Sequence, residues 1–204
     1  WIILYLLIAM RISGASVDIY VPSLPAITQH FAVSKTFSQL TISVFLLGYS
    51  VFSLLFGPMS DAIGRKKPLV WGGIIYTLSA FFITLSPTIT VMLVLRFLQG
   101  IGVAAIAGVS RTITPDVFEG INYQHVTNMT TIAWSIGPIM APFIGGYFEN
   151  YLNWKWCFYA LTAYGLVMLT LMLIVLPETN TKKTPFSFRV LSQRAGILLT
   201  SSII

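Results

Sequence analysis

Long apolar runs and short polar gaps alternate along this chain. No charged residue occurs in 36–60, 68–95, 97–110, 120–148 or 156–177. Most of these windows reach the ~20 residues that carry a helix across ~30 Å of hydrocarbon, and Ser86-Pro87 splits the second of them. The runs lack the period-two alternation that strands of a membrane barrel require. The pattern predicts an all-α membrane protein with six transmembrane helices, over 1–21, 39–58, 68–86, 89–110, 123–148 and 154–176. Residues 1–176 then form one six-helix unit, 177–194 a connecting loop, and "AGILLTSSII" at 195–204 the start of a seventh span. Trp1 in place of a Met, and that unfinished run, lead us to expect further chain on both sides. A signal peptide does not fit the start, since the first run contains Arg11 and Asp18 and no basic region precedes it.

Composition fixes the solvent. The chain is 56% hydrophobic and 9% charged, against roughly 25% charged in a soluble domain. Its Lys and Arg residues set a direction. Arg65, Lys66, Lys67, Arg111, Lys182, Lys183, Arg189 and Arg194 fall on one side of the expected spans, and Lys35 and Lys155 on the other. The positive-inside rule assigns the first group, and both ends of the segment, to the cytoplasm. Trp154 and Trp156 flank Lys155 as interfacial anchors. The net charge of +6 needs no nucleic-acid partner, because the excess meets the anionic inner leaflet of the bilayer.

Few residues suggest chemistry outside transport. Cys157 is alone, His30 and His125 are too isolated to suggest a metal site, and no HExxH, GxSxG or GxxxxGK[ST] string occurs. We expect no enzyme activity, no cofactor and no metal. Asn128-Met129-Thr130 matches a glycosylation pattern but falls inside an expected span.

Three charges remain inside the membrane. Arg11, Asp18 and Arg96 together oppose insertion by roughly 8 to 10 kcal/mol on insertion scales, so each should face protein or water. Arg11 and Asp18 share one helix face, about 10.5 Å apart along the axis. Two readings are open: Arg11 snorkels to the headgroups while Asp18 caps a helix broken ahead of Pro22 and Pro25, or Asp18 is a titratable carboxylate lining a polar cavity.

Four motifs bear on that choice. "GPMSDAIGRKKPL", at 57–69, resembles the signature between the second and third helices of the major facilitator superfamily, with Gly57, Asp61, Gly64, Arg65 and Lys66 in register and Ala62 where the family has Arg. "LVLRFLQGIGVAAIAG" is similar to the fourth-helix motif of proton-coupled members through Arg96, Gln99, Gly100 and Gly102. "SIGPIMAPFIGGYF" resembles the fifth-helix antiporter motif through Gly137, Pro138, Pro142, Gly145 and Gly146, with Ala141 where many members have Gly. "VDIYVPSLPAI" is similar to the first-helix string of bicyclomycin-resistance-type drug exporters through Asp18, Tyr20, Pro22, Leu24 and Pro25.

The resemblance implies a half-transporter of two inverted three-helix repeats, partnered by a carboxy-terminal six-helix half, in a bacterial inner membrane. It implies export of amphipathic small molecules in exchange for protons. Asp18 would carry the proton, and Arg96 would tune it. Asp61 and Arg65 would brace a cytoplasmic gate, and Tyr20 and Gln99 would be cavity residues. On the residues alone, the bases fix topology, Gly57 and Gly64 allow a tight turn, and Gly137, Ala141 and Gly145 make a close-packing face. A symporter importing a metabolite, and a six-helix scaffold or channel, are the alternatives.

Overall fold

The computed structural model describes residues 1–178; most of the expected central loop and the expected seventh span lie outside the described residues. Every regular element among them is helical. In chain order these are α1 (Ile2–Ala9), α2 (Ile12–Asp18), a 3-10 turn (Val21–Ser23), α3 (Leu24–His30), α4 (Lys35–Ile63), α5 (Lys66–Ile83), α6 (Ile89–Val117), α7 (Gly120–Tyr151) and α8 (Lys155–Ile174). The first three helices and the turn make one rod, so there are six rods. Four of them, Ile2–His30, Lys35–Ile63, Ile89–Val117 and Lys155–Ile174, are each long and apolar enough to cross a bilayer. The other two are more polar: α5 opens on Lys66 and Lys67, and α7 carries Thr127, Asn128, Thr130, Thr131 and Ser135.

Local chemistry explains the helix starts. The Ser34 hydroxyl accepts from the Phe37 amide ahead of α4, and the Thr88 hydroxyl from the Val91 amide ahead of α6, each satisfying an orphan donor of the first turn. The ends differ from expectation. α4 runs through Pro58 to Ile63 and α6 through Pro115 to Val117. A proline removes one donor without ending a helix that its neighbours support. Gly57 therefore lies in a helix with open space beside it, and the turn belongs to Gly64 alone, at φ +100°. The first rod likewise continues past Pro22 and Pro25 to His30, but it breaks there. Pro22 and Pro25 lack the amides that would bond the Asp18 and Val21 carbonyls, and Ser23 N donates instead to Tyr20 O at 2.9 Å, a 3-10 bond.

α6 is the centre of the bundle, packed between α4 and α5, with α8 on the far side of α5. Glycine makes these approaches. A Cβ at Gly100 would land on the Phe45 carbonyl of α4, and one at Gly102 would lie 2.7 Å from both Gly72 O and Tyr76 N of α5. Gly100→Val should therefore lower the stability of the purified protein by ~1–3 kcal/mol, as overpacking against immovable backbone does. Gly108→Ala, whose Cβ meets nothing within 4 Å, should not. Equal thermal midpoints for both variants would refute this packing. α7 stands apart: only Val126, Thr130, Ala141 and Gly145 are buried on it, and it leans on the first rod.

Candidate functional site

Arg96 is fully buried in the first third of α6. A cation there needs compensation, yet among the described residues no carboxylate lies within 4 Å of it. Backbone and ring faces compensate it. Its two terminal nitrogens each donate to Ser16 O at 3.2 Å, one of them also donates to Gln99 Oε1 at 2.7 Å, and Nε donates to Thr41 O at 3.5 Å. The guanidinium carbon lies 4.3 Å from the Tyr20 ring centroid, 4.4 Å from Phe45 and 5.7 Å from Phe158. Delocalised charge against aromatic faces suits Arg and not Lys. Around this centre Ser16 Oγ pairs with Tyr76 OH at 2.9 Å, and Tyr20 OH with Thr41 Oγ1 at 3.1 Å. Arg96 thus clamps α2, α4 and α8 around α6.

Asp18 is the last residue of α2, immediately before the break. It is half-buried, and its carboxylate lies back toward Gly14, where an added Cβ would sit 3.6 Å from Oδ2. Among the described residues no Lys, Arg or His nitrogen is within 4 Å of it. Arg96 and Asp18 are therefore linked through the backbone: Arg96 holds the carbonyl of Ser16, two residues before Asp18. Tyr20 and Gln99, expected as cavity residues, are fully buried and line none of the described cavities. Arg11 Nε donates to Ala133 O of α7 at 2.8 Å.

The expected small-residue face on α7 meets the break itself. A Cβ on Gly145 would collide with the Ile19 carbonyl, so α7 touches the first rod one residue after Asp18. Ala141 is buried beside it, whereas Gly137 and Gly146 face open space. Pro138 and Pro142 lie within the helix, each removing one backbone donor.

The second cluster sits at the bundle end that carries the bases. The buried Arg65 donates to Ser60 Oγ at 2.6 Å, to Asp61 one turn earlier, and through Nε to Asp116 Oδ2 of α6 at 3.0 Å. The Glu178 carboxylate accepts from the amides of Arg65 and Lys66 at 2.7 and 3.3 Å, satisfying donors at the start of α5. Lys66 Nζ donates to Leu173 O of α8 at 3.1 Å. Four helix ends are joined here. Asp116 and Glu178 were missing from the sequence-based site, although each is an acid on the side that carries Arg65, where a buried guanidinium needs partners. Ser16, Thr41 and the aromatic rings around Arg96 left no such signal, because carbonyl and ring contacts have no sequence pattern.

The family model described as Major Facilitator Superfamily matches residues 6–203. The chain is 33% identical over 188 residues to an "Uncharacterized MFS-type transporter YdgK" of Bacillus subtilis, covering 90% of this chain and 47% of that protein. It is 31% identical to "Chloramphenicol resistance protein CraA" of Acinetobacter baumannii, covering 91% and 47%. It is also 31% identical to a "Bicyclomycin resistance protein homolog" of Haemophilus influenzae, covering 85% and 44%. The chain thus spans about half the length of these curated relatives. The solved structure of the human organic anion transporter MFSD10 superposes with a TM-score of 0.73 at 16% identity, over 94% of this chain and 52% of that one.

Proposed function

The chain belongs to the major facilitator superfamily, and on that premise we propose that it is the amino-terminal half of an exporter of amphipathic small molecules driven by inward proton flow. It is a transporter component of a membrane, not an enzyme. One observation carries the proton-coupled reading. Asp18 is a carboxylate at a helix break, without an ionic partner among the described residues, in a rod whose neighbouring turn is clamped by a fully buried Arg96. A proton arriving at Asp18 would change the local charge where the first rod is least regular, and the Ser16 carbonyl would pass any shift of that turn to Arg96. α7 meets the same break at Gly145, so a moving first rod would press on the helix whose exposed face suits a second half. The names of the resistance proteins among the relatives support small-molecule export.

In this reading a carboxy-terminal six-helix half follows the central loop, and the cavity forms between the halves. The Arg65 cluster lies on the cytoplasmic face and, through Arg65 and its partners Asp61 and Asp116, stabilises the outward-open state. Orientation has its own test. Cysteines placed at Lys66 and at Lys35, with Cys157 changed to Ser, should react with cytoplasmic and external reagents respectively; the reverse labelling would overturn the gate assignment.

The decisive experiment uses the full-length protein in vesicles with an internal pH reporter. Adding a transported drug should drive protons in the direction opposite to the drug. Movement of both in one direction would establish symport instead, and drug flux without proton flux would remove proton coupling.

A further inference from the structure

Arg11 is the intramembrane charge that this cycle leaves without a task. Its Nε donates to Ala133 O at 2.8 Å, and among the described residues no carboxylate lies within 4 Å of it. Its terminal N–H groups have no hydrogen-bond partner among the described residues. The position is deep. Arg11 lines the same cavity as Tyr164, which stands midway along α8 (Lys155–Ile174), a helix only just long enough to span the hydrocarbon. Tyr164 OH also bonds Ile8 O of α1, at the same level. An unpaired cation at mid-bilayer is costly and marks a site by default.

The space around it is built for an apolar body. Arg11 lines two neighbouring cavities between the first rod and α7, one of 540 Å³ that extends to α8 and one of 450 Å³. Met140, Ile144 and Leu161 face it in the first, and Leu4, Met129 and Ile132 in the second. The groove is therefore apolar along its length, with one cation at the junction. A pocket of ~300–1,000 Å³ with few convergent polar groups is what drug-sized ligands occupy.

We propose that this groove binds a lipophilic organic monoanion, an apolar body of drug size bearing one carboxylate or sulfonate, with the anionic group on the Arg11 guanidinium. A planar fork with free N–H donors favours a carboxylate or sulfonate over a neutral polar group. An inner-leaflet phospholipid does not fit the depth: its headgroup stays at the surface, roughly 15 Å from the bilayer centre. A compact monoanion carries no bulky headgroup to hold at the surface, and the guanidinium offsets the cost of its charge at that depth. The inference rests on the reading of the protein as an exporter of amphipaths, and it names one cargo class and a lateral route by which that class enters.

Equilibrium binding without any gradient tests it separately from antiport. The full-length transporter, in nanodiscs of zwitterionic lipid, is titrated with pyrenebutyrate and with its neutral counterpart pyrenebutanol. Pyrenebutyrate should bind saturably, and Arg11→Gln should weaken it tenfold or more while changing pyrenebutanol less than twofold. Arg11→Lys should lie between. Gly137→Leu, which grows into the open space of the larger cavity, should weaken both probes and so locate them there. Circular dichroism and gel filtration establish that each variant is folded; if Arg11→Gln is not, the Gly137→Leu and Arg11→Lys titrations decide. Equal pyrenebutyrate affinity in wild type and Arg11→Gln overturns the proposal. So does loss of binding when anionic phospholipid is added to the nanodisc, which would make the site a headgroup site. Absence of saturable binding in the wild type, as would follow if an acid of the second half pairs with Arg11, overturns it too. A failure of proton coupling in vesicles leaves all these outcomes unchanged.

Discussion

Asp18→Asn should abolish proton-driven export, with accumulation falling to the passive leak, while insertion and cargo binding stay at wild-type levels. The amide keeps the shape of the carboxylate and its position over Gly14, but it cannot carry a proton. Because no cation of the described residues lies within 4 Å of Asp18, neutralising it leaves no partner charge stranded among them, and the fold should tolerate it. Arg96 is the contrasting case. Arg96→Ala empties a fully buried site and removes the clamp on the Ser16 carbonyl, so both stability and transport should suffer. Arg96→Lys keeps the charge but loses the planar fork and its stacking on Tyr20 and Phe45, and should fall between. Vesicle proton release measured beside equilibrium drug binding separates the two residues. Wild-type proton release in Asp18→Asn would remove Asp18 from the mechanism.

The sequence made the spans legible because lipid imposes a coarse rule: a charge within a run of ~20 residues is costly, so charge-free windows mark helices. It did not mark their ends. Pro58 and Pro22 read as terminators, yet α4 runs to Ile63 and the first rod to His30, since tertiary packing makes good a single lost backbone bond. The Asp61–Arg65 pair was legible as a motif. Its third member, Asp116, sits 51 residues from Arg65, a separation that local patterning cannot bridge. Arg96 was legible as a buried cation that needs compensation, but the compensation came from a Ser16 carbonyl and three aromatic rings. Asp18, which Arg96 was expected to tune, is joined to it through the backbone at Ser16. Gly100 and Gly102 were legible as motif positions, though that they make the close approaches of α6 to α4 and α5 was not.

Arg65→Ala should have the largest effect of any change at the base-rich end. Its side chain is 8% exposed and joins Asp61 of α4 to Asp116 of α6, so its loss leaves two acids near each other without the cation between them. Hydrogen bonds to charged groups contribute ~1.5–3 kcal/mol net. The Asp61 side chain is 42% exposed and the Asp116 side chain 27%, and solvent screening reduces each pair toward the ~0–1 kcal/mol of surface ion pairs. The two acids are therefore not equivalent. Asp116→Asn should cost more than Asp61→Asn, and Lys67→Ala, an exposed base, should cost almost nothing. A change of ~1.4 kcal/mol moves a two-state equilibrium tenfold, enough to depopulate the outward-open state without unfolding the protein. Spin labels at the base-rich ends of the two halves of the full-length transporter should report a shift toward the inward-open distance. The shift should be greatest for Arg65→Ala, smaller for Asp116→Asn, smaller again for Asp61→Asn and absent for Lys67→Ala. An Asp61→Asn shift larger than that of Asp116→Asn would mean that Asp61 acts mainly across the interface with the second half, and that the cluster within this half is not what holds the gate.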